Sequence, residues 1–109
     1  MIWYKNLYVG ERIGRGAARV KWKIRHNAGQ ISIYVIALAS NEKNLLDIIP
    51  AQELLQKSYP KKKLYVVGLA KGYDEAIETA ASIVMDVYRK TGTFTVRDYI
   101  LSESRMGNS

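Results

Sequence analysis

Polar side chains at two predicted strand ends are the first candidates for chemistry in this sequence. One group follows a strand predicted over residues 31–38, and the other follows a strand predicted over residues 64–70. If these strands are parallel, their following loops form a crevice of the kind that binds ligands in open α/β sheets. The hydroxyl, amides, ammonium and phenol there would hold a phosphate or carboxylate, and the residues are Ser40, Asn41, Asn44, Lys71, Gly72 and Tyr73.

The same residue types also have a purely structural role. Asn and Asp side chains cap helix starts whether or not a ligand is bound. Asp74 stands at the start of a predicted helix and argues against an anion lying directly on that helix end. We therefore favour capping, and the ligand crevice stays a hypothesis.

A run of basic residues near the start of the chain is the second candidate. The 109-residue chain has a net charge of +7. Residues 1–30 hold seven basic residues against one acid, whereas the remainder holds ten basic and nine acidic residues. Such a surface attracts polyanions, although a solvated basic face is the more frequent interpretation. The candidate nucleic-acid contacts are Arg12, Arg15, Arg19, Lys21, Lys23 and Arg25.

Residues for catalysis or metal binding are sparse. The chain has no cysteine, which excludes disulfides, thiolate zinc sites and a cysteine nucleophile, and His26 is its one histidine. Gly10, Gly14 and Gly16 match neither phosphate-loop spacing, and they precede a predicted strand rather than a helix. We predict no catalytic constellation, no metal site and no cofactor.

These candidates depend on elements predicted from apolar periodicity and turn residues. Val20, Trp22 and Ile24 alternate with basic residues, which predicts a half-buried strand joined to the strand at 31–38 as a hairpin, with Trp22 pointing to the core. Other predicted elements are a strand at 3–9, a loop at 10–18, a turn at 44–48, a helix from about 51 to 57, a helix at 73–91 ending at Gly92, and a short helix from Thr95 through Leu101.

The element order predicts an α+β domain. The strands at 31–38 and 64–70 should be parallel with a right-handed crossover, and the hairpin makes the four-stranded sheet mixed. The helices pack most simply on one face, as a two-layer sandwich. We predict a single domain over residues 1–101 and a frayed tail over 102–109, with no signal or membrane segment and a cytoplasmic location.

Tyrosine is abundant, with eight copies against one phenylalanine. Tyrosine and tryptophan suit partly exposed interfaces because an apolar ring carries a polar tip. Our first functional hypothesis is a non-enzymatic interaction module that acts by self-association or through a protein partner. The second is a nucleic-acid-binding protein using residues 12–25, and the third is an anionic-ligand binder or enzyme at the crevice of loops 40–44 and 71–74.

Four stretches of the chain resemble segments of small bacterial single-domain proteins of about this length. They are residues 22–30 (WKIRHNAGQ), 44–50 (NLLDIIP), 67–76 (VGLAKGYDEA) and 88–99 (YRKTGTFTVRDY). The resemblance implies a single-domain protein and brings no activity, cofactor or binding residue with it.

Overall fold

A computed structural model describes residues 1–41 and 44–107, with side chains through Glu103. Short 3-10 turns lie at Gly14–Gly16, Ala51–Leu55 and Lys61–Lys63. The strands are β1 (Ile2–Val9), β2 (Ile33–Leu38), β3 (Leu46–Pro50) and β4 (Tyr65–Lys71), and the helices are α1 (Ala17–Arg25), α2 (Tyr73–Thr91) and α3 (Val96–Gly107).

The strands form one mixed sheet in the order β1-β4-β2-β3. β1 and β4 are parallel, whereas β2 is antiparallel to both of its neighbours, β3 and β4. The α+β class and the four-stranded mixed sheet are thus confirmed. The predicted parallel pairing of residues 31–38 with 64–70 is wrong, because the predicted turn at 44–48 is instead β3, and the chain reverses there before it crosses to β4.

The first half of the predicted hairpin is also wrong, because residues 17–25 form α1 rather than a strand. Val20 and Ile24 lie one helical turn apart and pack on the sheet beside Val35. Along β2, alternate residues face opposite sides, so Ile36 packs toward α2 and α3 instead. α2 and α3 therefore cover one face, as predicted. The other face, which the two-layer prediction left uncovered, is covered by α1 and by the 3-10 turn at Ala51–Leu55, which was predicted as a helix on the first face.

The long helix α2 is confirmed from Tyr73 to Thr91. It ends where Gly92 adopts φ +76°, the left-handed conformation that glycine supplies at helix ends. α3 continues to Gly107, beyond its predicted end at Leu101. The predicted frayed tail thus includes helical residues, and its last two positions, 108 and 109, lie outside the described residues.

Two phenols on β1 hold this helical layer in place. Tyr4 donates a hydrogen bond of 2.6 Å to Glu103 of α3, and Tyr8 donates one of 2.7 Å to Asp86 of α2. Burial and the adjoining carboxylates raise the pKa of both phenols well above its ordinary value near 10. Neutral phenols therefore stabilise the docking of both helices on β1.

This linkage predicts a loss of stability in alkali. Each phenol has a higher pKa in the folded protein than in the unfolded chain. Its contribution to the free energy of unfolding is therefore complete below pH 10. Above pH 10 this contribution declines by at most about 1.4 kcal/mol per pH unit for each phenol. Urea unfolding from neutral to strongly alkaline pH measures the effect. The free energy of unfolding of the double variant Tyr4→Phe/Tyr8→Phe should decline less steeply with pH than that of the parent protein. Tyr88→Phe, at an exposed phenol, is the control, and a double variant as steep as the parent would contradict the linkage.

Candidate functional site

The glycine-containing loop after β1 is tied to the junction between β4 and α2. Both Glu75 carboxylate oxygens accept backbone hydrogen bonds, from Arg12 N–H at 2.8 Å and from Lys71 N–H at 2.7 Å. Glu75 is buried against Gly10, where an added Cβ would lie 2.4 Å from the carboxylate. This buried carboxylate fixes where the loop leaves the sheet and therefore where α1 begins.

A second contact between the same segments lies at the surface. The Arg12 guanidinium donates two hydrogen bonds of 2.9 Å to the Asp74 carboxylate. The pair lowers the pKa of Asp74 and raises that of Arg12. Because both side chains are exposed, its contribution to stability is small. The Arg12–Asp74 pair thus orients the loop after β1 relative to α2, and the Asp74 carboxylate largely balances the charge of Arg12.

The outer surface of α1 is basic and aromatic. Val20 and Ile24 face the sheet, which leaves Arg15, Arg19 and Arg25 exposed on the preceding turn and the helix. Trp22 is 56% exposed, contrary to its predicted core position, because α-helical rather than strand geometry turns it away from Val20 and Ile24. An indole therefore stands in solvent among cations.

The Trp22 ring is held by its neighbours. Its ring stacks on the His26 imidazole with centroids 4.1 Å apart and planes 18° apart. His26 Nδ1 lies 2.8 Å from the Trp22 carbonyl oxygen, which fixes the imidazole at the end of α1. One face of the indole is therefore covered by His26, while the ring as a whole stays exposed. His26 caps the end of α1 and lies on the same surface.

Cations on the flank of α1 extend the basic surface toward the start of the chain. Lys21 Nζ lies 5.0 Å and Arg25 Cζ 5.6 Å from the Trp3 ring centroid, within cation–π range. Arg25, Lys61 and Lys62 line one shallow depression, and Lys61 donates a hydrogen bond to Asn27. Lys61 and Lys62 were not predicted as part of this surface. Residues 20–25 were predicted as a strand, and that strand gave no reason to place residues 61–63 beside them.

On the other flank of α1 lies an open groove of about 430 Å³. Its basic lining residues come from the loop after β1, from α1 and from the end of β4, and no acidic side chain lines it within the described residues. Gly16, Gly29 and Gln30 contribute backbone and amide groups, and Ile31 and Ile33 give it an apolar side. The basic residues are Arg12, Arg19, Lys23 and Lys71. We call this groove and the exposed residues of α1 together the α1 surface.

The charge of the chain is concentrated around the α1 surface. Residues 12–41 and 57–63 contain ten basic residues and no acidic one, whereas the rest of the chain contains seven basic and ten acidic residues. The acids include Asp74, Glu78 and Asp86 of α2 and Asp98 and Glu103 of α3. One side of the sheet is therefore strongly positive and the helical layer on the other side is not.

The structure divides the predicted ligand crevice. Because β2 and β4 are antiparallel, the loop after β2 lies at one end of the sheet and the loop after β4 lies at the other. A seven-residue strand separates them by about 20 Å. Ser40, Asn41 and Asn44 thus do not meet Lys71, Gly72 and Tyr73, and no crevice between these two loops exists.

The observed roles of these six residues are mainly structural. Ser40 N–H donates to Asp47 and Asn44 N–H donates to Asn41 Oδ1, which shapes the turn before β3. Gly72 has φ +89° at the start of α2, and the Tyr73 ring packs on Tyr34. Lys71 alone reaches the α1 surface. The parallel strands whose ends do meet are β1 and β4. The loop that lies beside Lys71 is therefore the one containing Arg12, and not the one containing Ser40.

Comparisons with protein-family models, with curated proteins and with solved structures find no match to this chain. Among the described residues, no helix combines the length and apolar character needed to cross a membrane. In the same part of the chain, no three His, Asp or Glu side chains gather as a possible metal site.

Proposed function

We propose that this protein binds single-stranded nucleic acid through the α1 surface. The observation that carries the proposal is the exposed Trp22 ring, stacked on His26, within a surface of arginines and lysines that has no acidic residue in residues 12–41. Stacking on an aromatic ring together with cationic contacts to the backbone is how proteins bind single strands without reading sequence. A cytoplasmic location belongs to the same proposal.

The exposed indole favours this function over a merely solvated basic face. Solubility requires charges and does not require a large aromatic ring in water. A buried aromatic side chain covers roughly 200 Å², so the exposed half of that area at Trp22 represents at most about 2.5 kcal/mol, of which a base stacked on the ring face opposite His26 would recover a part. Arg19 and Lys23 flank Trp22 on α1 and are placed to contact phosphates next to the stacked base.

The single strand is favoured over a duplex for a geometric reason. The bases of a duplex stack on one another and offer no free ring face, whereas those of a single strand are available. α1 has nine residues and is about 13 Å long, which suits a few nucleotides. The adjoining groove, with Lys71 at its far side, continues the cationic path.

Binding of a labelled oligothymidylate of about 15 nucleotides, followed by fluorescence anisotropy, tests the proposal. If four to six phosphates are neutralised, the affinity should fall about 50- to 300-fold between about 50 and 200 mM salt. A salt-independent affinity, or a duplex of equal length bound as tightly as the single strand, would overturn the proposal.

The Trp22→Ala variant measures the stacking contribution. We expect its affinity for the same oligonucleotide to fall about 5- to 150-fold, because stacking on one aromatic ring is worth about 1–3 kcal/mol per base. Trp22→Phe should retain most of the affinity. Met85→Ala removes an exposed apolar side chain from the helical layer on the opposite side of the sheet and is the control. Equal affinities for Trp22→Ala and Met85→Ala would exclude base stacking at Trp22.

A further inference from the structure

Helix α2 has an apolar stripe exposed to solvent in addition to the one that packs on the sheet. Ile83 and Val87 are fully buried. Tyr73, Ile77 and Tyr88 follow a helical spacing of four and eleven residues, and each is 43–57% exposed. One wide apolar arc of α2 therefore contains a buried stripe and an exposed stripe.

The exposed stripe continues at both ends and to one side. Phe94, 52% exposed, stacks on Tyr88 with ring centroids 4.9 Å apart. Tyr34 contacts Tyr73, and half-buried side chains of β3 lie on the same side of α2. α3 packs instead toward β1, at the other edge of the sheet. We call this region, which is about 22 Å long, the α2–β3 face. It comprises Tyr34, Leu45, Leu46, Ile48, Tyr73, Ile77, Val84, Tyr88 and Phe94.

We propose that the α2–β3 face binds a second copy of this chain, with the two α2 helices antiparallel across a two-fold axis. This proposal is independent of nucleic-acid binding. A two-fold interface joins the same patch on both copies, so the patch has to be complementary to itself.

Charge favours binding of the second copy at the α2–β3 face rather than at the α1 surface. Two chains of net charge +7 repel each other at the α1 surface, whereas α2 has four acidic and two basic residues. Glu78 is exposed in the first half of α2 beside Asp74, which already pairs with Arg12, and Arg89 and Lys90 are exposed in the last turn. An antiparallel pair places the acidic half of one helix beside the basic end of the other, which a parallel pair does not.

The area is consistent with a specific contact. Tyr73, Tyr88 and Phe94 are each about half exposed, so together they offer roughly 300 Å² of ring surface. With the aliphatic members, the apolar area is about 500 Å² per copy, at the upper end for the largest patch on a monomer. Two such patches and their polar rim reach the roughly 1,000–1,200 Å² at which small specific interfaces begin. A reversible dimer follows.

Light scattering of the nucleic-acid-free protein over a range of concentrations tests the dimer. Ile77→Asp places one carboxylate from each copy in the interface and should raise the dimer dissociation constant at least about 100-fold. Ile31→Asp is the matched control, because Ile31 is 81% exposed and lines the groove on the other side of the sheet. Ile77→Lys should act like Ile77→Asp, with an unchanged circular dichroism spectrum showing that both remain folded.

A single introduced cysteine tests the orientation. The chain has no cysteine, so Ala81→Cys supplies one thiol on the exposed side of α2 near its midpoint. In an antiparallel pair these midpoints meet, and mild oxidation should give a covalent dimer. Ala18→Cys, exposed on α1, should not. The proposal is overturned by a monomer at every concentration, by a dimer that Ile77→Asp leaves intact, or by cross-linking at residue 18 rather than 81. None of these outcomes depends on whether the α1 surface binds nucleic acid.

Discussion

Replacing Arg15, Arg19 and Lys23 together by glutamate is expected to abolish binding of single-stranded nucleic acid. Their charges lie on the turn before α1 and on the helix, outside the core. Removing one phosphate contact lowers the affinity by about one logarithmic unit at about 50 mM salt, so removing three lowers it roughly 1,000-fold. Repulsion between the new carboxylates and the strand weakens binding further. The measurement is the anisotropy titration at low salt, where the parent protein binds best.

A control of equal charge separates local contacts from the net charge of the chain. Arg89, Lys90 and Arg97 lie on the helical layer across the sheet, and their triple change to glutamate lowers the net charge by the same amount. Because Arg97 donates a hydrogen bond to the Ala39 carbonyl oxygen and the other two lie in the last turn of α2, light scattering and circular dichroism check that this variant keeps the oligomeric state and fold of the parent. We expect this variant to lose no more than about tenfold in affinity, since charges beyond a Debye length are largely screened. Equal losses in the two triple variants would mean that the chain binds through its net charge and not through the α1 surface.

The error that most changed the predicted site lies in residues 20–25. Val20, Trp22 and Ile24 alternate with basic residues as in a strand, but Val20 and Ile24 are also separated by one turn of a helix. A six-residue window cannot distinguish the two periods, and Val, Ile and Trp favour strands. The choice is made by tertiary packing, because α1 covers apolar residues of the sheet that would otherwise face water. The prediction therefore placed Trp22 inside, where the structure exposes it.

The error in the predicted sheet topology lies at residues 44–50. Pro50 cannot lie inside a regular helix, and residues 44–48 were predicted as a turn. The structure instead ends an edge strand at Pro50, where proline is tolerated. This additional strand reverses the chain before β4 and makes β2 antiparallel to it. The parallel strands whose ends meet are therefore β1 and β4, and not β2 and β4.

Long-range polar contacts were beyond sequence reasoning even where the elements were right. α2 was predicted with its correct ends because nineteen residues carry a clear apolar period, acids at the start, bases at the end and a terminal glycine. Glu75 looked like one of the ordinary acids of a first helical turn. Its burial against Gly10 depends on the parallel pairing of β1 and β4, which no local pattern reveals.

Gly10→Ala is expected to lower the free energy of unfolding by about 3 kcal/mol. The new Cβ would stand 2.4 Å from the Glu75 carboxylate, which has to move and give up its hydrogen bonds from Arg12 N–H and Lys71 N–H. Hydrogen bonds to a charged group are worth about 1.5–3 kcal/mol each, and two are at stake. Urea unfolding measures the change. Gly16→Ala is the matched control, because no atom lies within 4 Å of its added Cβ and its φ of −80° suits alanine.

The cause of that loss can be isolated by a double-mutant cycle. Glu75→Ala removes the carboxylate that the new methyl group would strike, at the cost of the same two hydrogen bonds. In that background, Gly10→Ala should therefore cost much less than in the parent, with a coupling energy of about 2 kcal/mol. If the two losses add instead, Glu75 does not occupy the space beside Gly10 in solution. The loop would then be held to α2 mainly by the exposed Arg12–Asp74 pair, and the start of α1 would depend on the packing of Ile13 against the core.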